Sequence, residues 1–296
     1  MQSAKALAGR TISMLPDKPY LYLLFYRSLG EPLSLKNPQR FTHKIQWLKL
    51  NGRLERFAPF ADKYTVRGYI EKKISAQHLI PLIGVWDSVE DIPFEMLPNQ
   101  FVLKLTKGCG YNYICKDLST ADINNIKRTL RQWMKEDFYS QERERQYKPG
   151  KQRIIAETYM EDEFGGLRDY KIHCVQGVPR YVQVDTDRFT DHKSQILHTN
   201  WEDASSLNPS SFSEATTLPQ KPSTLDEMLK IAAVLSADFP YVRVDLYSVK
   251  NKIYFGELTF TPGSGIVKLP IKADMEFGEM IDLEAYKKPL AFETSV

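Results

Sequence analysis

Residues 240–265 contain the pattern that most constrains how this chain can fold. Two stretches of alternating polar and apolar residues lie on either side of a short polar segment. This pattern predicts a β-hairpin with its turn at residues 250–252. If the chain reverses about the middle of this turn, alternate residues of both strands face the same side. One side is then apolar and suits a hydrophobic core, and it consists of Val242, Val244, Leu246, Tyr254, Leu258 and Phe260.

The other side of the predicted hairpin carries polar and charged residues. Asp245 lies opposite Glu257, and Arg243 lies opposite Thr259. Two carboxylates in directly opposite positions have Cβ atoms about 5 Å apart and repel each other. A divalent cation would offset this repulsion, because Mg²⁺ binds through one or two carboxylates together with phosphate oxygens. Arg243 offers a fork for a phosphate. An ordinary hairpin with a surface cluster of charges is the alternative that this segment leaves open.

Length and composition indicate a globular protein with more than one unit. The chain has 296 residues, of which 42% are hydrophobic and 26% are charged. We therefore expect two or three packed subdomains. No apolar run approaches the roughly 20 residues that a membrane span needs, and the N-terminus lacks the features of a signal peptide. The 3 cysteines lack metal-ligand spacing and are most simply reduced. These properties predict a cytoplasmic protein.

Charge and motifs give no indication of nucleic-acid binding. The formal net charge is only +3, and no helix-turn-helix, zinc-finger or RNA-recognition spacing is present. A mild basic excess is compatible with anionic small substrates or with loose contact to an acidic membrane surface. We therefore expect small-molecule partners rather than a nucleic acid.

The order of expected elements divides the chain into three regions. Residues 1–60 are basic and helical. Residues 61–157 form a first α+β unit with a glycine-rich turn, and residues 158–296 form a second unit that contains the hairpin. Apolar residues at helical spacing predict further helices, near 63–73, 119–134 and 224–237. The strands read as mostly antiparallel, so the fold class is α+β.

A lysine inside an apolar strand and a glycine-rich turn form the second candidate site. Lys104 interrupts the apolar strand 101–105, so its charge must face a partner. The turn that follows contains Lys107, Gly108 and Gly110, and its exposed N–H groups would let a polyphosphate come close. A strand rather than a helix follows this turn, which excludes a Walker loop and a Rossmann fingerprint.

Residues 154–160 are read as a buried strand that contains one carboxylate. The backbone at such a strand end can hold an adenine, and Glu157 could then accept a hydrogen bond from a ring amine or a ribose hydroxyl. A core strand whose Glu157 is paired with a cation is the alternative that these residues leave open.

Taken in order, these sequence motifs resemble those of the ATP-grasp superfamily. They are most similar to the motifs of its TupA-like branch, which is associated with bacterial surface-polysaccharide biosynthesis. The resemblance covers roughly residues 15–285, and the motif that begins at Gly256 is its most specific part. The similar phrases are Ala61-Asp-Lys-Tyr, Phe101-Val-Leu-Lys, Arg153-Ile-Ile-Ala-Glu, Asp169-Tyr-Lys, Arg243-Val-Asp-Leu-Tyr and Gly256-Glu-Leu-Thr-Phe-Thr-Pro-Gly-Ser-Gly. The resemblance implies an ATP-grasp fold with two α+β subdomains, mostly antiparallel sheets and a helical region before them.

The resemblance also implies an ATP site. Lys63 and Lys104 would hold the phosphates of ATP, and the loop 107–112 would cover them. The adenine and ribose pocket would be lined by Glu157, Tyr159 and Met160. The cover loop begins Thr-Lys-Gly, where related sequences tend to carry Asn-His-Gly, so this sequence departs from the pattern there.

For the metal and the reaction, the resemblance implies that Asp245 and Glu257 ligate Mg²⁺ and that Arg243 contacts the transferred phosphoryl group. Arg243 and Lys104 would thus be the catalytic residues. Thr259 occupies the last metal position, which is usually Asn in the superfamily, and it is a weaker ligand. Three basic residues are expected to face an anionic substrate, namely Arg153, Lys171 and Arg188.

The implied activity is ATP- and Mg²⁺-dependent ligation of a carboxylate to an amine through an acylphosphate. The carboxylate would be a uronic acid or an amino acid, and the product would belong to a capsule, an O-antigen or a teichuronopeptide. Peripheral association with a membrane polysaccharide-assembly system would be compatible with this role. A glycosyltransferase that uses a sugar nucleotide, a kinase-like phosphotransferase and a non-catalytic nucleotide-binding subunit are the rival hypotheses.

Overall fold

Two antiparallel sheets form the centre of the protein. The computed structural model describes residues 14–162, 166–186, 193–210, 218–290 and 293. The small sheet has the strand order β1-β4-β2-β3 and consists of β1 (Leu82–Trp86), β2 (Phe101–Leu105), β3 (Asn112–Cys115) and β4 (Ile154–Thr158). The large sheet has the order β7-β6-β5-β8-β9 and consists of β5 (Asp169–Val175), β6 (Val178–Thr186), β7 (Lys193–His198), β8 (Val242–Val249) and β9 (Lys252–Thr259).

Helices precede the sheets and cover them. The N-terminal helices are α1 (Asp17–Leu29), α2 (Phe41–Asn51), α3 (Ala58–Ala61) and α4 (Val66–Ile74). The later helices are α5 (Ile123–Met134), α6 (Phe138–Glu142), α7 (Leu225–Ser236) and α8 (Ile271–Glu279). The expected α+β class with a helical N-terminal region and mostly antiparallel sheets is confirmed. The division of the chain at residues 60 and 157 stays a prediction.

Local chemistry sets the helix boundaries more closely than apolar spacing does. Helix α5 begins at Ile123 because the Asp122 side chain caps it and accepts from the backbone N–H of Asn125. The sequence analysis predicted that this helix begins at Ser119 or Thr120. Ser119 instead belongs to a separate turn, in which its backbone N–H and its hydroxyl donate to the Asp117 side chain. Strand β7 and helix α8 had no counterpart in the sequence analysis.

Each sheet has its own hydrophobic core. The core of the large sheet is also packed by α2, α4, α7 and α8, and the core of the small sheet is packed by α5. Aromatic rings link the N-terminal region to the large sheet, because Phe57 stacks on Phe260 with ring centroids 4.5 Å apart. No helix in the described ranges has both the length and the apolar character that crossing a bilayer requires.

The hairpin β8–β9 has the expected pairing at its charged end. Asp245 pairs with Glu257, and Arg243 pairs with Thr259. The turn itself is tighter than the sequence suggested, because it consists of Lys250 and Asn251, which both have positive φ angles (50° and 61°). A bulge at Gly256 supplies the residue that the shorter turn omits, which restores the pairing further along the strands.

The bulge changes which residues of β9 face the core. Tyr254 was expected on the apolar side, but it is only partly buried, while Ile253 and Phe255 are buried. The alternation of side chains changes phase at the bulge, so the residues before Gly256 face the opposite way from the expected pattern. Glu257, Leu258 and Thr259 lie beyond it and keep the expected alternation.

Gly256→Ala tests how closely this bulge is packed. A Cβ at this position would lie 3.0 Å from the Asp245 carbonyl oxygen and 3.0 Å from the Tyr247 ring, so we expect the free energy of unfolding to fall by about 1–2 kcal/mol. Gly68→Ala in α4 is the matched control, because a Cβ there meets nothing within 4 Å and alanine favours a helix by up to about 1 kcal/mol. Urea unfolding measures both changes. Equal effects of the two substitutions would contradict the tight bulge.

Candidate active site

Two adjoining cavities lie where the sheets meet helix α4. The charged cavity, with an empty volume of about 640 Å³, includes Lys63, Arg67, Glu157 and Glu257 in its lining. The apolar cavity, with an empty volume of about 830 Å³, has a lining that includes Ile80, Val102, Ile114, Tyr159, Met160 and Leu167. Four residues line both cavities, namely Lys104, Asn112, Asp169 and Tyr247. A ligand with an apolar body and a charged tail therefore has one continuous place to bind.

A carboxylate in β4 holds two cations at the boundary of the cavities. Lys104 Nζ donates to one oxygen of Glu157 at 2.6 Å, and Arg67 Nη1 donates to the other at 3.1 Å. Val102 pairs with Glu157 across β2 and β4, so Lys104 lies two residues away on the same face. The ion-paired strand that the sequence left as an alternative is thus present, and the cations that pair with Glu157 also line the charged cavity.

Arg67 was missed by the sequence analysis. It lies in the first turn of α4, four residues after Lys63, which belongs to the turn before this helix, and both side chains line the charged cavity. Its guanidinium also donates to the Ile80 carbonyl at 2.9 Å, which fixes its position at the cavity wall. The spacing of four between two basic residues was the signal that could have revealed it.

Lys63 ties the start of this helical segment to the glycine-rich turn. Its backbone N–H donates to the Thr106 carbonyl at 2.8 Å, and its Nζ donates to the Gly108 carbonyl at 2.6 Å. Burial lowers the pKa of Lys63, and the charge of Lys104 acts in the same direction, while Glu257 opposes them. Gly108 and Gly110 both have φ of +82°, a conformation that glycine adopts without strain.

Four of the expected basic residues line neither cavity, namely Lys107, Arg153, Lys171 and Arg243. The amine of Lys107 donates to the Gly150 carbonyl, and its backbone N–H donates to the Gln152 side chain at 3.1 Å. Arg153 pairs with Asp87 at 3.2 Å on the surface. Arg188, the third expected substrate residue besides Arg153 and Lys171, lies outside the described residues.

The apolar cavity brings together the end of β4 and the walls of β2 and β3. Tyr159 and Met160 both line it, as the resemblance implied, and Val102 and Ile114 add branched side chains. The Tyr159 ring lies against Lys116, whose Nζ is 5.5 Å from the ring centroid. An aromatic base fits such a lining, because the walls are largely apolar and a few polar groups remain at the rim.

The four residues of the hairpin's charged face are in contact. Arg243 donates to both oxygens of Asp245, at 2.7 and 2.6 Å, and to the Thr259 hydroxyl at 3.1 Å. The Thr259 hydroxyl donates to Glu257 at 3.1 Å, and Arg243 lies 3.6 Å from the same carboxylate. Burial raises the pKa of Asp245 to about 7, although the neighbouring Arg243 and Lys171 oppose this shift.

Lys171 lies in a buried cage of carboxylates beside this hairpin. Its amine contacts Asp169 and lies 3.3 Å from Asp185 and 3.7 Å from Asp245. Burial alone would lower the pKa of Lys171, but the three carboxylates raise it overall. Asp169 and Asp185 pair directly across β5 and β6, and the sequence analysis did not assign either of them to the site.

The hairpin carries two carboxylates, the type of ligand that a hard divalent cation prefers. Among the described residues, no group of three or more His, Cys, Asp and Glu side chains has the arrangement of a complete metal centre. Of the two hairpin carboxylates, Glu257 has a side chain that is 37% exposed and lines the charged cavity, whereas Asp245 is buried and both of its oxygens accept from Arg243. Such a donor set suits Mg²⁺, which keeps water or phosphate oxygens as its other ligands.

The fold and the two cavities are typical of an α+β protein that binds a ligand. A comparison with protein-family models identifies the family. The family model described as TupA-like ATPgrasp matches residues 43–282. The chain belongs to the TupA-like ATP-grasp family. A search of curated protein sequences finds no match.

Several solved structures show limited similarity to this chain. D-alanine–D-alanine ligase from Bacillus anthracis is 14% identical with a TM-score of 0.46, and the match covers 77% of this chain and 68% of the ligase. The ADP complex of N5-carboxyaminoimidazole ribonucleotide synthetase is 13% identical with a TM-score of 0.47, and 84% of this chain and 58% of that chain are covered. L-amino acid ligase from Bacillus licheniformis is 14% identical with a TM-score of 0.43, covering 76% of this chain and 50% of that chain.

Glu157→Gln tests the pairing at the boundary of the cavities. The substitution leaves Lys104 and Arg67 close together without their shared carboxylate, so we expect the free energy of unfolding to fall by about 2–3 kcal/mol. Glu90→Gln is the matched control, because Glu90 pairs with Arg131 on the surface, where the side chains are 61% and 50% exposed. That change should cost less than about 1 kcal/mol. Urea unfolding without nucleotide measures both, and a loss as small as that of the control would contradict a buried pair.

Proposed function

We propose that this protein is an ATP- and Mg²⁺-dependent ligase that joins a carboxylate to an amine through an acylphosphate. The proposal rests on the junction at Lys104, where an apolar cavity meets a charged cavity. The other charged side chains that line the charged cavity are Lys63, Arg67, Glu157, Asp169 and Glu257. A nucleoside triphosphate has this same division between an aromatic base and a charged tail. Membership of the TupA-like ATP-grasp family supports the proposal.

In this proposal the base of ATP occupies the apolar cavity. Tyr159 and Met160 line it, and Glu157, which lines the adjoining charged cavity, would accept from the base or the ribose where the two cavities meet. The phosphates lie against Lys63 and Lys104, and Arg67 adds a third cation that the sequence did not suggest. Three positive side chains in a partly closed cavity offset the charge of a triphosphate more strongly than they would in water.

The glycine-rich turn acts as the cover in this proposal. Lys63 already holds the carbonyl of Gly108, and the positive φ of Gly108 and Gly110 lets the backbone turn tightly there. The amine of Lys107 is held by Gly150 at the other side of the turn, so Lys107 anchors the loop rather than contacting the phosphates.

Asp245 and Glu257 would hold Mg²⁺, with Thr259 contributing directly or through water. The ion would supply charge neutralisation between the phosphates and the two carboxylates. Arg243 lies between these carboxylates, and its fork is held by both oxygens of Asp245, so in this proposal its contact with the γ-phosphoryl group would replace part of that pairing. Lys171 holds Asp245 from the neighbouring strand, which favours a positioning role over direct substrate binding.

The chemistry needs orientation and charge neutralisation more than a protein nucleophile. A carboxylate oxygen of the substrate attacks the γ-phosphorus, and the bond from this phosphorus to the β,γ-bridging oxygen breaks, so that ADP leaves. The amine then attacks the carbonyl carbon of the acylphosphate and displaces phosphate. Lys104 and Arg243 stabilise the charge that moves to the oxygens during transfer, and removing one such contact should lower the rate by about 10²–10³-fold. The match covers 58% and 50% of the length of two of the compared enzymes. The complete reaction of this chain is therefore a proposal.

The class of substrate is proposed from membership of the TupA-like ATP-grasp family. The carboxylate is a uronic acid or an amino acid, and the reaction serves the synthesis or modification of a surface polysaccharide in the cytoplasm, next to the membrane assembly system. A non-catalytic nucleotide-binding role is the second candidate, because both oxygens of Asp245 are engaged by Arg243 in this structure. A sugar-nucleotide glycosyltransferase is the third, and nucleotide preference separates it from the others.

Nucleotide binding is measured first, by thermal shift with Mg²⁺-ATP and with UDP-sugars. We expect stabilisation by Mg²⁺-ATP only, of about 2.7 kcal/mol at 100 times the Kd. The Mg²⁺-dependent part should disappear in Glu257→Gln and persist in Glu90→Gln. Stabilisation by UDP-sugars without any effect of ATP would contradict the ligase and favour a glycosyltransferase.

Catalysis is measured next, by ADP release with a panel of uronic acids and amino acids as carboxylates. Hydroxylamine and a panel of amines serve as acceptors, and hydroxamate formation reports the acylphosphate. We expect ADP release to require a carboxylate and to fall by about 10²–10³-fold in Asp245→Asn. ATP binding without ADP release with any carboxylate of the panel would favour the non-catalytic subunit.

A further inference from the structure

Helix α1 has one side packed on the protein and one side exposed. On the packed side, Leu21 and Phe25 are buried in a small hydrophobic core of their own. The exposed side, called the outer face below, has residues at spacings of three and four, and five of them line an open groove. The outer face consists of Lys18, Pro19, Tyr22, Leu23, Tyr26 and Arg27.

Two tyrosines form the centre of the outer face. Tyr22 is 38% exposed and Tyr26 is 60% exposed, and they lie about one helical turn apart. Pro19 and Leu23 lie beside them in the groove, and Met14, just before the helix, is 84% exposed. Tyrosine is enriched where a membrane meets water, because its ring is apolar and its hydroxyl stays hydrated. An exposed group of this kind suits the headgroup region of a lipid bilayer.

Positive charge lies on both sides of the tyrosines. Lys18 in the first turn and Arg27 in the last turn of α1 are both exposed. Asp17 is the only acidic residue within residues 14–30, and its carboxylate is engaged on the packed side. Tyr139 donates to both of its oxygens, at 2.7 and 2.8 Å, and Arg145 pairs with it at 3.0 Å. The cations of the outer face therefore complement an anionic surface.

The neighbouring parts of the chain do not reverse this charge. Residues 1–13 contain two basic residues and no acidic residue. The segment 138–148, which packs beside α1, contains three basic and two acidic residues. Glu31, the next acid after α1, is held by the Arg40 guanidinium at 2.5 and 3.0 Å. The excess of positive charge thus extends around the outer face.

Charge also argues against two other occupants of the outer face. In a symmetric dimer formed through this face the same patch meets itself, so cations would approach cations. Residues 1–13 carry the same sign of charge, which disfavours their binding back on it. An anionic lipid surface attracts each of these basic groups, and it is the occupant that charge favours.

A short chain of contacts relates α1 to the charged cavity. Tyr139 on α6 holds Asp17 of α1. Phe138, the preceding residue of α6, packs on the glycine-rich turn, where a Cβ at Gly108 would lie 2.7 Å from its ring. Two residues of this turn line the charged cavity. Only α6 therefore lies between α1 and the turn, and a docked α1 would hold the cavity close to the lipid headgroups.

We propose that the outer face of α1 docks on the anionic surface of a lipid membrane. The rings of Tyr22 and Tyr26 enter the headgroup region, and Lys18 and Arg27 lie against anionic headgroups. The binding is reversible, because a few side chains rather than a spanning segment enter the bilayer. Docking needs neither nucleotide nor carboxylate, so it is independent of the proposed ligase activity.

Cosedimentation of the full chain with lipid vesicles tests this docking. Vesicles of phosphatidylglycerol mixed with phosphatidylcholine supply the anionic surface, and vesicles of phosphatidylcholine alone are the comparison. We expect the partition coefficient to be at least about tenfold higher for the anionic vesicles. It should fall as the salt concentration rises from about 0.1 to about 0.5 M, because salt screens the attraction.

Two double substitutions separate the roles of the charges and the rings. Lys18→Glu with Arg27→Glu should lower the partition coefficient by about 30-fold or more, because each cation near the surface contributes about fivefold. Tyr22→Ser with Tyr26→Ser should lower it by about tenfold. All four side chains are exposed, and thermal unfolding without vesicles verifies that each variant is folded.

Lys72→Glu with Lys230→Glu is the matched control. It makes the same change of net charge at exposed positions on α4 and α7, and it should leave the partition coefficient within about threefold of the wild type. Equal partitioning onto both kinds of vesicle, no partitioning, or equal losses in the control and the α1 variants would overturn the proposal. So would a dimer that Tyr22→Ser with Tyr26→Ser dissociates, because a second copy would then cover the face. None of these outcomes alters the test of the ligase by ADP release.

Discussion

The pairing of like charges between β8 and the edge strand β9 of the large sheet is the constraint on which the rest of the site depends. Asp245 pairs with Glu257 on one side and with Lys171 on the other, and Arg243 bridges the two carboxylates from two residues away. Each group is buried or partly buried, so removing one cation would leave an uncompensated carboxylate at a cost of several kcal/mol. Strand register, core packing and site electrostatics are therefore coupled, because a shift by one residue would turn these charges into the core.

The small sheet and the segment that contains α4 add cations to the site, opposite the carboxylates of the large sheet. Lys104 comes from β2, while Lys63 and Arg67 come from the segment that contains α4, and all three line the cavity that Glu257 also lines. Without a ligand the cations are held by Glu157 and by the Gly108 carbonyl. In the proposed function these same contacts are where an anionic nucleotide competes, which links binding to the position of the glycine-rich turn.

Much of this arrangement could be predicted from the sequence, and the reason is the period of two in a strand. That period placed Asp245 opposite Glu257, although the tight turn and the bulge at Gly256 were not foreseen and together displaced Tyr254 from the core side. Arg67 and the cage of Asp169 and Asp185 around Lys171 could not be predicted in the same way. These contacts depend on which strands and helices become neighbours, and no local pattern encodes that choice. The same limit explains why Lys107 and Arg153 lie outside the cavities: their partners, Gly150 and Asp87, were unknown before the elements were assembled.

The central claim is that Asp245 and Glu257 together hold the divalent cation of a nucleotide site. Crystals grown with Mn²⁺ and ADP test it most directly, because the anomalous scattering of manganese locates the ion independently of the protein atoms. We expect a manganese peak about 2–2.5 Å from oxygens of both carboxylates, with the base in the cavity that Tyr159 and Met160 line. Bound nucleotide with the manganese peak away from these two residues would contradict it.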